Sequence, residues 1–242
     1  MTITVAQAAM RQTAKTATLA LVASETPELA RLTAHAQTLR LRRRQPIAIA
    51  PDTVWIVRSG IIAAEHGATG SERTMVEVHY PGDIIAAPPA SLAAMMTYTS
   101  MAQSDVWRLT ANAFSAALAA DAEVANYFLQ RLNLQRARTQ LHISMLAALS
   151  SEQRVAALLL QAAGHLGTAH GGSVSFEMPL SRTEVAEYLA LNADTLSRIM
   201  SRFVREGVLA RSSRTQLTVC DIDALKAHCP MSDAVMALHT AR

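Results

Sequence analysis

Hydrophobic positions along the chain change their period midway. From Ile47 to Leu109 they come in short runs of Val, Ile and Trp, as in TVWIVRSGIIAAEHGATGSERTMVEVHYPGDII, broken at Ser59-Gly60, Gly67, Gly70 and Pro81-Gly82. Short runs between turn residues predict hairpins of a small sandwich or barrel, and MAQSDVWRLT adds a further strand. After Ala111 the pattern turns helical. Asp121 is placed to cap AEVANYFLQRLNLQRARTQLHISMLAAL, a stretch free of Gly and Pro and longer than the roughly 10–14 residues usual for a helix in a globular domain. Val124, Phe128, Leu132, Leu141 and Met145 recur there at helical intervals, with Arg131, Arg136 and Arg138 among them. A long helix with a narrow apolar seam pairs with a copy of itself or packs on its own sandwich. The five apolar residues are the expected homodimer interface, with intrachain packing as the alternative.

The remainder alternates short helices and strands. Ser150 and Gln153 form a capping box that opens a helix through about Ala163, and Ser181 with Glu184 forms another. Between them, GTAHGG is a loop and SVSFEMPL a short strand. RTEVAEYLA and ADTLSRIMSRF are two short helices separated by a tight turn, the second stopped by Gly207. VLARSSRTQLTV is a hairpin, and DIDALKAH a last helix capped by Asp221. The N-terminal stretch MRQTAKTATLALVASE is expected to be a helix rather than a secretion signal, because its apolar centre, Ala17 to Ala23, is broken by Thr18.

Two short helices joined across a three- or four-residue turn form a helix-turn-helix. Val185, Ala186, Leu189, Leu191, Leu196 and Ile199 fall where the helices face each other and the body, and Ala186 must be small where they cross. The other face of the second helix carries Asp194, Ser197, Arg198 and Arg202. In a major groove, Arg198 can donate twice to guanine, Asp194 can accept from cytosine, and Ser197 can reach a base edge. Asn192 and Thr195, at the helix N-terminus, suit phosphate oxygens. Arg182, Arg202 and the hairpin tip with Arg211 and Arg214 are further candidates for the DNA backbone. The competing reading is a solvated amphipathic helix in which Asp194 and Arg198 are an i,i+4 ion pair.

Composition narrows the field. The chain has 242 residues, half of them hydrophobic and 17% charged, enough for a sizeable core. The net charge of +3 is too small to identify a nucleic-acid partner, so local placement must carry that argument. No run of 18 apolar residues exists, so no membrane partner is expected. Cys220 and Cys229 form no CxxC and have no histidine cluster beside them; reduced thiols in a cytoplasmic protein are the simplest reading, with a redox switch as the alternative. No Ser/His/Asp, Cys/His or paired-carboxylate arrangement suggests an enzyme.

LSRTEVAEYLALNADTLSRIMSRFVREGVL closely resembles the C-terminal winged helix of the cyclic-AMP receptor / fumarate–nitrate-reduction regulator (CRP/FNR) family of bacterial transcription factors, and VWIVRSGII and YPGDII resemble that family's β-roll. The resemblance implies an α+β chain: a cyclic-nucleotide-binding-like β-roll sensor with an N-terminal helix over 1–120, a dimerisation helix over 121–148, and a winged helix-turn-helix over 149–242. It implies a homodimer on a near-palindromic site, contact with RNA polymerase and a cytoplasmic location. Asp194-x-x-Ser197-Arg198 is similar to the Glu-x-x-Ser-Arg of the FNR/FixK-like branch, which reads TTGA-type half-sites. Two departures stand out. Asp194 is one methylene shorter than that glutamate. Ala190 stands where the turn usually has glycine, which costs on the order of 1 kcal/mol if φ is positive there.

Members that bind cyclic AMP hold its phosphate with a Gly-Glu…Arg-Ser/Thr cassette. Here no Arg or Lys lies between Arg73 and Arg108, and Pro88-Pro89 removes two N–H donors. Cyclic-AMP binding is therefore not expected. Two cysteines are too few for an iron–sulfur cluster. His66, His79 and His142 fall in the sensor or dimer region, and His79 is the candidate haem ligand, against a buried histidine satisfied by its surroundings. Met95, Met96 and Met101 line an apolar pocket or pack the core. Arg40, Arg42, Arg43 and Arg44 form a solvated basic face or a second nucleic-acid contact. A different class of function is a small-ligand or haem-binding module whose helix-turn-helix serves protein contacts.

Overall fold

The computed structural model describes residues 23, 26–67 and 74–240. The expected N-terminal helix over residues 10–25 therefore lies largely outside the described residues. The chain divides into two compact units, residues 23–140 and 141–240.

The first unit opens with α1 (Pro27–Leu32), followed by β1 (Gln37–Leu41), β2 (Pro46–Ile47), β3 (Thr53–Ser59), β4 (Ile62–His66), β5 (Thr74–His79) and β6 (Ile84–Ala86). A single turn of helix, α2 (Ala90–Ala93), precedes β7 (Met96–Ser100) and β8 (Ser104–Thr110). These strands make two antiparallel four-stranded sheets, ordered β1-β8-β3-β6 and β2-β7-β4-β5. Two helices close the unit: α3 (Ala111–Ala120) and the first part of α4 (Ala122–Ala148). The run-on hydrophobicity of β3 has a direct cause. Trp55 and Val57 pack with Ile62, Ala64 and Tyr98 of the other sheet, while Val54 and Ile56 pack with Leu29, Phe114 and Val124 of the helices. A strand covered on both faces needs no polar alternation. Met101 is fully buried and Met96 packs on the inter-sheet core, so both serve packing.

Asp121 caps α4 as expected, accepting from the N–H groups of Glu123 and Val124. The helix faces its own sheets with an unusual stripe. Val124 and Phe128 are apolar, but Arg131, Gln135 and Arg138 follow one turn apart. They grip the turn 81–84. Gln135 accepts from Ile84 N–H at 2.9 Å and donates to Ile84 C=O at 3.0 Å. Arg131 donates to the carbonyls of Pro81 and Gly82 and, at 3.1 Å, to Asp83. Arg138 donates to both oxygens of the same carboxylate at 3.0 and 3.3 Å. The Asp83 side chain is only 2% exposed. Gly82, at φ +87°, leaves room for this: a Cβ there would stand 2.7 Å from Arg131 Nη2.

This geometry corrects part of the expected dimer seam. Val124 and Met145 are each 1% exposed within a single chain, and Phe128 meets Phe114 edge-on at 5.0 Å. These three belong to their own subunit's core. Leu132 is exposed and Leu141 half-buried, while Leu129 (56%) and Ile143 (60%) are the large apolar side chains α4 leaves most open. Helical periodicity locates a stripe without saying which neighbour covers it.

In the second unit, α5 (Ser151–Leu166) is almost entirely buried from Val155 to Ala163 and is the axis of the core. Around it lie β9 (Thr168–His170), β10 (Ser173–Glu177), α6 (Arg182–Tyr188), α7 (Ala193–Arg205), β11 (Leu209–Arg211), β12 (Gln216–Val219), α8 (Ile222–Ala227) and α9 (Ser232–Thr240). The sheet order is β11-β12-β10-β9, all antiparallel. Both expected capping boxes form. The chain does not end its helices at Ala227: α9 packs on α5.

Candidate nucleic-acid interface

The sequence Ser-Arg-Thr-Glu starts α6 because Ser181 Oγ accepts from Glu184 N–H and the Glu184 carboxylate accepts from Ser181 N–H. Helix α6 ends in a left-handed turn. Leu191 N–H bonds back to Ala186 C=O and Ala190 N–H to Glu187 C=O, with Ala190 at φ +51°. That is the Schellman arrangement, in which the left-handed position is usually glycine. Asn192 then caps α7, its Oδ1 accepting from Asp194 N–H at 2.7 Å. Gly207, at φ +75°, closes α7 with the same pair of bonds, Val208 N–H to Phe203 C=O and Gly207 N–H to Val204 C=O. One alanine and one glycine thus occupy equivalent positions at the two helix ends.

A guanidinium supports the tighter turn. Arg154, on α5, donates to the carbonyls of Leu189 at 2.7 Å, Ala190 at 3.4 Å and Leu149 at 3.2 Å. Behind the turn, the His142 ring stacks on Tyr188 with 4.0 Å between centroids. Val185, Ala186, Leu189, Leu196 and Ile199 are buried, with Phe203 beside them, as the spacing predicts, whereas Leu191, in the turn, is only half-buried.

The opposite face of α7 is open. Asp194 and Arg198 are exposed and Ser197 half-exposed. Among the described residues Arg198 donates only to the Asp194 main-chain oxygen, at 3.4 Å, and no ion pair joins the two side chains. Ser197 and Arg198 line an open depression with Thr195, Ser201, Arg202 and Arg205. Asn192 spends its oxygen on the cap and keeps its amide nitrogen. Arg182 and the hairpin residues Arg211 and Arg214 are exposed. Burial pushes the Arg211 guanidinium below the ordinary arginine value, and the nearby Arg182 cation adds to this, so two positive charges share one patch beside the helix-turn-helix. Arg202 departs from expectation. Its guanidinium is held by the Glu152 carboxylate of α5, so it is not a free backbone contact although its side chain is 40% exposed and lines the same depression.

Other candidates are placed elsewhere. His79 is buried at the end of β5, its Nε2 3.7 Å from Glu77 and its ring 6.2 Å from that of Tyr98. Neither nitrogen has a hydrogen-bond partner among the described residues. A ring 5% exposed and facing an acid offers no open side for a porphyrin, so His79 does not fit the haem-ligand expectation. Cys229 is buried, and burial pushes its thiol up, away from reactivity; Cys220 is exposed. Among the described residues no group of three or more His, Cys, Asp or Glu side chains could hold a metal ion, and no helix is long and apolar enough to cross a membrane.

Sequence reasoning missed Arg154, Glu152 and the Arg131/Gln135/Arg138 grip. Only the last left a trace, as polar residues in an otherwise apolar stripe.

Comparison with known proteins agrees with this construction. Residues 153–228 match the Crp-like helix-turn-helix domain family. The chain is 24% identical over 176 residues to the transcriptional regulatory protein btr of Bordetella pertussis, covering 72% of each. It is 21% identical over 178 residues to the anaerobic regulatory protein of Haemophilus influenzae, covering 72% of this chain and 68% of that one. The structure of FixK2 from Bradyrhizobium japonicum superposes with a TM-score of 0.69 at 21% identity, over 80% of this chain and 97% of that one. A matching helix-turn-helix, relatives named as regulators and a shared fold point one way: residues 153–228 form a Crp-like helix-turn-helix domain, in a chain that resembles the DNA-binding transcription regulators of the CRP/FNR type.

Proposed function

We propose that Asp194, Ser197 and Arg198 read base edges in the major groove, with Asn192, Thr195, Arg182, Arg211 and Arg214 on the DNA backbone. The observation that carries this reading is the open face of α7. Its three central polar groups are uncommitted to any side-chain partner among the described residues, while everything behind them is buried. Arg198 donates twice to a guanine, and Asp194, one methylene short of glutamate, accepts from a cytosine directly or through water. The expected half-site is TTGA-like. Two copies of α7 entering successive major grooves about 34 Å apart read a near-palindrome, which requires a homodimer. Leu129, Leu132 and Ile143 are the apolar groups α4 has available for that pairing.

The first unit acts as a sensor that does not take cyclic AMP. Residues 74–107 contain no Lys or Arg to hold a phosphate, and the buried arginines of α4 are spent on Asp83. Contact with RNA polymerase and a cytoplasmic location complete the reading. The test is a salt-titrated binding assay with Arg198→Ala. Affinity for a guanine-containing site should fall steeply with salt. The variant should lose about 1–3 kcal/mol of discrimination and keep most non-specific binding; equal loss on all sequences would refute a base-reading role.

A further inference from the structure

Two arginines one helical turn apart on α7 have opposite fates. Both line the open depression, but among the described residues Arg198 makes only a long bond to its own helix backbone. Arg202 is tied down. Glu152, in the first turn of α5, holds the Arg202 guanidinium through one oxygen and receives His228 Nδ1 at 3.0 Å through the other. His228 ends α8, rests its ring 4.9 Å from that of Phe203, and turns its Nε2 to within 4.0 Å of the Glu206 carboxylate at the end of α7. The Arg202 Nε is buried without a hydrogen-bond partner among the described residues. Its seat is therefore set by the carboxylate and not by a full complement of bonds.

We propose that Glu152 is a positioning residue for DNA recognition: it withholds Arg202 from the phosphates and fixes how α7 is seated on the second unit, so that affinity is not gained equally on every sequence. The proposal rests on the DNA-binding face assigned above. A free arginine at this position would add one more sequence-independent contact, because phosphates carry no base information. Held by Glu152, the same cation, 40% exposed, spends its charge on a carboxylate of its own chain. His228 shares the carboxylate and keeps it oriented between α5, α7 and α8.

The salt dependence of binding to a non-specific duplex of fixed mixed sequence tests this, because each phosphate contact contributes about 0.9 to the slope of log affinity against log salt. Arg202→Ala should leave the parental slope unchanged. Glu152→Gln should steepen it by about 0.9, tighten non-specific binding several-fold at 0.1 M salt, and lower the ratio of specific to non-specific affinity. Glu152→Gln with Arg202→Ala should return to the parental slope, which a merely structural loss would not do. A shallower slope in Arg202→Ala would overturn the proposal by showing the cation already on DNA, and that variant decides even if Glu152→Gln fails to fold. An unchanged slope in folded Glu152→Gln would also overturn it. Parental protein with no salt-dependent affinity would sink the DNA-binding face itself, a distinguishable failure.

Discussion

Ala190→Gly should stabilise the second unit, and the matched turn at Gly207 supplies its control. Ala190 sits at φ +51° in a Schellman turn. A side chain in that conformation costs about 1–2 kcal/mol relative to the right-handed basin, and glycine removes the cost. Glycine also gives the unfolded chain more freedom, which takes back about 0.4–1 kcal/mol. The net gain is about 0.5–1 kcal/mol, or roughly 2–8 °C in Tm for a unit of this size. Arg154 keeps its partners, since it bonds main-chain oxygens. The reciprocal change, Gly207→Ala, introduces a Cβ with nothing within 4 Å. Its loss, about 1 kcal/mol, therefore isolates the backbone term. Urea and thermal unfolding of the full-length protein should be followed in the transition that tracks DNA-binding activity, because two units need not unfold as one. If Ala190→Gly is neutral or harmful while Gly207→Ala destabilises, strain at Ala190 has been relieved by other means and the argument fails.

Burial holds the His142 imidazole down to about 4, partly offset by a hydrogen bond to the Tyr188 main chain. The unfolded chain takes up that proton near pH 6.5, so stability should be intact above that value and fall by roughly 3 kcal/mol as pH drops to 4. In His142→Phe this part of the slope should vanish; equal urea midpoints against pH in both proteins would contradict it. Asp83→Asn keeps the size of the side chain but removes the negative charge that two largely buried guanidinium groups share. Thermal unfolding should register a loss of about 3–5 kcal/mol, and a loss below about 1 kcal/mol would show that solvent reaches the cluster. Leu129→Glu with Ile143→Glu should shift sedimentation toward monomer and weaken specific DNA binding at least tenfold, which is about 1.4 kcal/mol; an intact dimer would place the interface elsewhere.

Much of the fold was legible because its signals are local. Ser181 and Glu184 lie three positions apart and answer each other, and Gly207 marks a helix end without reference to the rest of the chain. The open face of α7 was legible for the same reason: one helix sorts Asp194, Ser197 and Arg198 away from Leu196, Ile199 and Phe203. What stayed hidden depends on distant partners. Arg131 and Arg138 meet Asp83 from 48 and 55 residues away, and Arg202 meets Glu152 from 50. Val124 and Met145 looked like seam residues because periodicity cannot tell a partner subunit from the protein's own interior. Helix α9 was missed because Cys229-Pro230 reads as a terminus, whereas the chain turns there and returns to α5.

The arginine–glutamine stripe of α4 has a mechanical consequence. A greased contact between alkyl groups tolerates sliding and rotation in small increments. A toothed contact does not: advancing α4 by one residue would pull Gln135 off both Ile84 groups and both cations off Asp83 together. The helix is splined to the 81–84 turn, so within this unit a shift of that turn drags the shaft with it or disengages altogether.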